Sequence, residues 1–434
     1  SDLMTGTVSD IPAILHATNK EIVTNLKVSA NHIDIAELTY DPKLKKSAVN
    51  EVVENFKLDV ALKATGKALF ETDKLPIGEF NINELDAKLM NYPHHFHDFS
   101  AGLFIEQNDI RIKRFKGFID ESDFLFYGKL VSYAHLFKPT PKAKSEFKIF
   151  FKSDLIKLNN LLNYNGENFI PVAIQQETFS DVKLKATIAA RFEGEEMKGT
   201  RIELSEFSLT TSMHDKRFSN LNGKLFTSKN SVALKNLKGN IGVSDFDISL
   251  NYFIGDDLTK KRKDNELKFY SKYFDLNEIM SFNYALFNDQ ATTNPGAIPV
   301  EETPFSVKDI PFMDMKLETD IGHFEYLDYK LDRVKGSINM TQTGILDFYR
   351  FGFDVAGGKV RLTGKLDASN PEKVVFTPSF WIKDLVLDQT LVRFKNFGQE
   401  NILSENLSGK LNARIKGTIP MNSDLTPIMD RTNL

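Results

Sequence analysis

Strict alternation of apolar and polar residues is the feature that most constrains the fold of this 434-residue chain. Residues 246–252 (Phe-Asp-Ile-Ser-Leu-Asn-Tyr) alternate without a break, and residues 360–366 nearly so. A period of two places apolar side chains on one face of a β-strand and polar side chains on the other. Similar runs at 110–112, 182–188 and 411–415, separated by short polar turns, predict antiparallel hairpins. We therefore expect a mainly β fold.

Helical spacing is confined to short segments. Apolar residues three and four positions apart predict one helix over residues 43–55 and a second helix after Asp275. Residues 289–303 have little apolar content and are typical of a long loop, while Pro139 and Pro141 indicate a shorter break. These helices are too few to cover strands that span most of the chain.

Two elements recur with a shared spacing, which indicates a tandem array. One is a hairpin, and the other is a strand that runs into a short helical turn; each recurs at intervals of about 110–125 residues. The hairpin copies are residues 115–130, 237–252 and 351–366, and the copies of the second element are residues 33–38, 156–161, 274–279 and, degraded, 385–387. The expected divisions are the end of a preceding repeat (1–40), repeat 1 (41–165), repeat 2 (166–290, followed by the loop 289–303), repeat 3 (304–400) and the start of a further repeat (401–434).

The apolar face of such strands must be covered, because each large side chain left in water forgoes roughly 1.5–3 kcal/mol. A second sheet, closure of the sheet on itself, overlying helices or an apolar ligand would each cover it. The residues alone leave two readings open, which are the filled core of tandem β-sandwiches and the floor of a channel for acyl chains. The candidate lining residues are Ile110, Ile112, Phe124, Phe126, Leu130, Val232, Leu234, Phe246, Ile248, Leu250, Tyr252, Phe351, Phe353, Val360, Leu362 and Leu366.

Composition and motifs argue against catalysis. The chain has no cysteine, which excludes disulfides and thiolate chemistry, and its net charge of −4 disfavours nucleic-acid binding. We find no catalytic, phosphate-binding or metal-binding motif and expect no enzyme activity, cofactor or metal. His94, His95 and His97 are interpreted as part of a surface loop in preference to a metal site. The basic run 260–263, flanked by acids, is interpreted as a solvated hairpin tip in preference to a contact with anionic headgroups.

The ending Gly-Lys-Leu recurs at residues 128–130, 223–225, 364–366 and 409–411. With the segment 407–417, this pattern resembles the AsmA-like family, the bridge-like lipid carriers of the AsmA and TamB type. The resemblance implies an elongated, twisted antiparallel sheet of tandem repeats, rolled into an open apolar groove with few short helices.

The resemblance also implies a function. Family members carry phospholipid acyl chains along the groove between the inner and outer membranes of Gram-negative bacteria, in the service of envelope biogenesis. They project into the periplasm from an N-terminal helix in the inner membrane, which this chain lacks, so we expect an interior or C-terminal piece whose membrane contacts lie in regions absent from it. The cysteine-free, Phe-rich and Trp-poor composition is similar to that of members from the Bacteroides group. The alternative is a structural or interaction protein made of filled tandem sandwiches.

Overall fold

Alternating residues form strands along most of the chain that the computed structural model describes. The described residues are 3–12, 16, 18–38, 40–41, 46–47, 52–67, 77–92, 94–133, 144–159, 161, 163–164, 167–168, 175–193, 196–212, 216–280, 306–310, 312–326, 329–393, 407–428 and 431–433. The chain divides into unit 1 (residues 1–222 and 284–288) and unit 2 (residues 223–283 and 289–434).

Unit 1 is built on an antiparallel meander. Its described elements are β1 (Leu3–Val8), β2 (Glu21–Asp34), α1 (Ile35–Leu38), β3 (Tyr40–Asp41), β4 (Lys46–Ser47), β5 (Val52–Thr65), β6 (Gly78–Leu89), β7 (His95–Ile105), β8 (Ile110–Ile119), β9 (Ser122–Val131), β10 (Lys144–Lys157), β11 (Asn163–Tyr164), β12 (Glu167–Asn168), β13 (Thr178–Glu193) and β14 (Glu196–Thr211). The strands pair in the order β1-β2-β5-β6-β7-β8-β9-β10-β13-β14. Two-residue ladders join β3 to β4 and β11 to β12.

Unit 2 is also built from strands that pair with their neighbours in sequence, except that one of the pairs is parallel. Strand β15 (Arg217–Ser228) contains the boundary. The elements that follow are β16 (Ser231–Ile241), β17 (Ser244–Phe253), α2 (Leu258–Asp264), β18 (Glu266–Asp275), α3 (Leu276–Met280), a 3-10 turn (Val307–Asp309), β19 (Met315–Tyr326), β20 (Tyr329–Met340), β21 (Ile345–Val355), β22 (Gly358–Asp367), β23 (Val374–Val386), α4 (Leu387–Arg393), β24 (Lys410–Lys416) and β25 (Ile419–Met421). Each strand from β16 to β23 pairs with the next, antiparallel except for the parallel pair β18–β19, and β23 also pairs with β24 and β25.

The mainly β prediction is confirmed, but the helix predicted over residues 43–55 is wrong where the structure describes it. Residues 46–47 form β4, and residues from Val52 onward form β5. Val53 pairs with Ile33 of β2, so cross-strand pairing of β-branched residues outweighs the helical spacing. The helix expected after Asp275 is confirmed as α3. The predicted loop at residues 289–303 and the predicted break at Pro139 and Pro141 lie outside the described residues.

A buried serine and an aspartate at a hairpin turn fasten the next strand to the hairpin in unit 2. Ser244 is fully buried, and its Oγ accepts a hydrogen bond from the backbone N–H of Asp275 at 3.0 Å. Asp245 Oδ1 accepts one from the N–H of Tyr273 at 2.8 Å. Because buried backbone donors must be paired, these contacts fix the end of β18, where α3 begins.

The same arrangement recurs in unit 1. Ser122 Oγ accepts from the N–H of Lys157 at 3.0 Å, and Asp123 Oδ1 accepts from the N–H of Leu155 at 2.8 Å. The hairpin and the strand end that follows it are therefore bonded to each other in both units. This bonding explains why the two sequence elements share one spacing, while the exact repeat boundaries stay a prediction.

Candidate functional site

The strand register places the predicted lining residues of unit 1 on one face of the sheet. Ile110 pairs with Leu130 across β8 and β9, and beyond a register shift Phe115 pairs with Phe126. The same face continues across β10 and β13. This unit 1 apolar face includes Ile110, Ile112, Phe115, Phe124, Phe126 and Leu130 on β8 and β9, and Phe147, Ile149, Phe151, Leu184, Ala186 and Ile188 on β10 and β13.

The unit 1 apolar face is open at Ile188, on the interior strand β13. Ile188 lies on an interior strand, with Phe147 opposite on one side and Ile202 on the other, yet it is 36% exposed. An interior position of a packed sandwich is buried by the facing sheet. The β3–β4 and β11–β12 ladders are too short to form such a layer in the described part of the unit. Among the described residues, neighbouring side chains of the same sheet cover part of the face, as where the ring centres of Phe126 and Phe147 lie 5.9 Å apart.

In unit 2 the predicted lining residues likewise share one face. Leu234 pairs with Leu250, which pairs with Leu267, and the row continues through Leu317 and Ile338. The unit 2 apolar face includes Val232, Leu234, Leu237, Phe246, Ile248, Leu250, Tyr252, Leu267, Phe269, Leu317, Ile338, Phe348, Phe351, Phe353, Val360, Leu362, Leu366, Phe376, Phe380 and Ile382.

Burial varies along the unit 2 apolar face. Val232, Leu234, Ile248, Leu250 and Tyr252 are half-buried, like the predicted lining residues of unit 1. By contrast, the chain itself buries Phe246, Val360, Leu362 and Leu366.

The segment that precedes β19 covers one part of the unit 2 apolar face. Val307, in the 3-10 turn, has no exposed surface and packs in a cluster with Leu366, Ala368 and Val374. At Leu366, therefore, the protein supplies its own apolar cover, whereas the positions around Leu250 keep accessible surface.

Bulges keep the apolar residues on one face where the sequence spacing changes from two to three. The register of β16 against β17 shifts between Leu234 and Leu237, where Asn236 adopts a positive φ of 49°. The register of β21 shifts in the same way between Phe348 and Phe351. An extra residue in a strand bends it and restores the alternation beyond the bulge.

Sequence reasoning missed the residues that precede or follow a bulge. Phe115, Leu237 and Phe348 lie on the apolar faces but fall out of a strict period of two counted from the predicted residues. A local signal exists in β16, since Asn tolerates positive φ far better than β-branched residues do. The residues of β10 and β13 were also missed, although the alternation at 182–188 is visible in the sequence.

The opposite faces carry paired charges. In unit 1 Lys27 Nζ lies 2.8 Å from Asp59 Oδ2, and Lys113 Nζ lies 2.7 Å from Glu79 Oε1. In unit 2 Lys238 Nζ lies 3.1 Å from Asp247 Oδ2. The hydrogen bond from Lys27 lowers the pKa of Asp59, which keeps that carboxylate ionised. In both units, the main strands thus have one hydrated, charged face and one apolar face.

The predicted surface loop at His94, His95 and His97 is wrong for the last two residues, which begin β7. The rings of His95 and His97 lie 5.2 Å apart, as expected for one strand face. A carboxylate engages each ring, and among the described residues no group of three or more potential ligands is placed to hold a metal ion. The pairs are His94 with Asp120, His95 with Asp86, and His97 with Asp98.

A histidine on the charged side of unit 2 makes stability pH-dependent. His323 Nδ1 lies 2.7 Å from Asp332 Oδ1 and its Nε2 lies 2.9 Å from Glu325 Oε1, and these hydrogen bonds raise the pKa of His323 above 6.5. Its stabilisation is full below the unfolded pKa of 6.5 and is lost as the pH rises through the higher folded value. We expect His323→Asn to lower the melting temperature at about pH 5.5 by more than at about pH 9, from a contribution below about 1 kcal/mol. Equal losses at both pH values, measured by circular dichroism, would contradict this expectation.

Comparisons with known proteins supply no further assignment: no family model, curated protein or solved structure matches the chain. Among the helices that the structure describes, none has the length and apolar character needed to span a bilayer.

Proposed function

We propose that this chain binds the acyl chains of phospholipids along its apolar faces and passes them on without chemistry. The observation that carries the proposal is the 36% exposure of Ile188 on an interior strand of an apolar face. Water contact at such a position is unfavourable, and a hydrocarbon guest removes it at roughly 25 cal/mol for each Å² covered.

The mechanism follows from the two-sided sheets. Acyl tails lie along the apolar face, while headgroups stay at its hydrated edge, so a moving lipid never exposes a whole tail to water. The half-buried residues around Leu250 supply the contact surface in unit 2, and those around Ile188 supply it in unit 1. No bond is made or broken, so the proposed role needs no catalytic residue.

The resemblance to the AsmA-like family supports a location for this activity. We place the protein in the periplasm of a Gram-negative bacterium, tethered to the inner membrane through a region outside this chain. There it would carry phospholipid between the inner and outer membranes.

Extraction of lipid from the purified chain tests the proposal. Chain prepared without detergent and extracted with chloroform and methanol is expected to release phospholipid, on the order of one molecule or more per chain by mass spectrometry. Lipid-stripped chain incubated with phospholipid vesicles and then separated from them is expected to reload. If the purified chain releases no phospholipid and takes none up from vesicles, the result would instead support the filled sandwich of a structural protein.

A further inference from the structure

The basic run 260–263 lies at the tip of the hairpin formed by the antiparallel strands β17 and β18, as the sequence indicated, but it is helical there. It lies on α2, which connects β17 to β18. Two large apolar residues near the start of this helix are exposed to solvent: Ile254 is 50% exposed and Leu258 is 44% exposed. With the lysines at 260, 261 and 263, these residues form what we name the α2 patch.

The α2 patch is held in a fixed orientation. Asp257 caps the helix, and its Oδ1 accepts hydrogen bonds from the N–H groups of Thr259 and Lys260. At the other end the buried Asn265 accepts a bond from the N–H of Phe253 at 2.7 Å and donates one to the carbonyl of Asp314 at 2.9 Å. Asn265 therefore ties the end of α2 to both β17 and the start of β19.

The lysines of the α2 patch differ from those on the strands. Lys27, Lys113 and Lys238 each pair with a carboxylate, whereas none of the three patch lysines has an ion-pair partner among the described residues. Lys260 instead places its Nζ 5.4 Å from the ring centre of Phe253. The patch thus combines available positive charge with exposed apolar side chains, the two properties that bind a protein to an anionic bilayer surface.

We propose that the α2 patch docks this chain on a bilayer that contains anionic phospholipid. The lysines contact headgroup phosphates, and Ile254 and Leu258 enter the boundary between headgroups and acyl chains. This contact is separate from the apolar faces and goes beyond the proposed lipid transfer, because it places a membrane contact within this chain.

Vesicle flotation of the full chain tests the docking. The chain is expected to float with vesicles containing about 30 mol% phosphatidylglycerol, and several-fold less with pure phosphatidylcholine. Because surface charges are screened, binding is expected to fall as salt rises from about 0.1 M to about 0.5 M. Wild-type chain that fails to float, or floats equally with both vesicles, would overturn the proposal.

Matched variants locate the contact. Replacing Lys260, Lys261 and Lys263 with glutamine is expected to reduce vesicle binding about tenfold at low salt. The control replaces Lys116, Lys183 and Lys185, three exposed lysines on the charged face of unit 1, with glutamine and changes the net charge equally. The control is expected to bind as the wild type does; an equal loss in both variants would overturn the assignment to α2.

A second variant and a second readout separate this inference from the proposed function. Ile254→Ser with Leu258→Ser is expected to weaken vesicle binding, and unchanged binding would count against insertion of the patch. All variants are expected to release as much bound lipid on extraction as the wild type. If the chain binds vesicles but carries no lipid, the docking proposal stands and lipid transfer is refuted. If the chain releases lipid on extraction but does not bind vesicles, lipid transfer stands and the docking proposal is refuted.

Discussion

Replacing Ile188 with glutamate is expected to stop phospholipid transfer while the sheet stays folded. The side chain lies on the unit 1 apolar face and is 36% exposed, so a carboxylate there meets water in the empty protein. A passing acyl chain would have to desolvate that carboxylate, which costs several kcal/mol without a partner. We expect transfer of fluorescent phospholipid between donor and acceptor vesicles to fall roughly tenfold or more, while extracted lipid falls far less, because the rest of the face is intact.

The matched control for Ile188→Glu is Lys183→Glu. Lys183 lies on the same strand, is exposed on the opposite face and pairs in register with Lys152. The new carboxylate would therefore sit beside a cation, and transfer is expected to stay at the wild-type rate. Equal transfer by both variants, with circular dichroism showing both folded, would refute a lipid path across Ile188. Unfolding of Ile188→Glu alone would instead support a packed interior at this position.

Gly358→Ser is expected to destabilise the chain by about 2–3 kcal/mol, although the repeat pattern makes serine the expected residue. Gly358 opens β22 as Ser244 opens β17, and Ser244 makes a buried hydrogen bond there. A Cβ at position 358, however, would lie 2.5 Å from Leu385 Cα and 2.6 Å from Leu385 N. These are backbone atoms of β23 and cannot move aside without breaking the pairing of the two strands.

Chemical denaturation measures the loss at Gly358 as a lower midpoint. The control is Lys359→Ser, which places the same residue one position further on, where the side chain is exposed. Its effect is expected to stay within about 0.5 kcal/mol, as for most surface substitutions. Wild-type stability of Gly358→Ser would mean that β23 does not approach the turn so closely.

Local patterns predicted those features that depend on a single strand or turn. The alternation at 246–252 identified β17 and its apolar face, because a strand's side-chain period needs no information from elsewhere in the chain. The repeat spacing identified the three hairpins for a related reason. Ser122 and Ser244 each bond to the end of the strand that follows their hairpin in the sequence. The helix predicted at 43–55 failed because spacing alone cannot register that β2 offers a pairing partner.

The candidate site shows the same division. Leu234 and Leu250 could be assigned to one face from the period of two in the sequence. Leu237 could not, because the bulge at Asn236 adds a residue and interrupts that period. Likewise, nothing local distinguishes the half-buried Leu250 from the buried Leu366. The difference comes from Val307, some sixty residues before Leu366, whose segment packs over one position and not the other.

By itself, then, the sequence determined that this is a β protein whose strands each have an apolar face and a charged face. Backbone geometry alone converts a period of two into two faces. Only the tertiary structure decided that β18 and β19 run parallel, and that Ile188 stays open while Leu366 is covered. Those outcomes depend on which distant segment of backbone comes to lie beside each strand, and no local pattern encodes that.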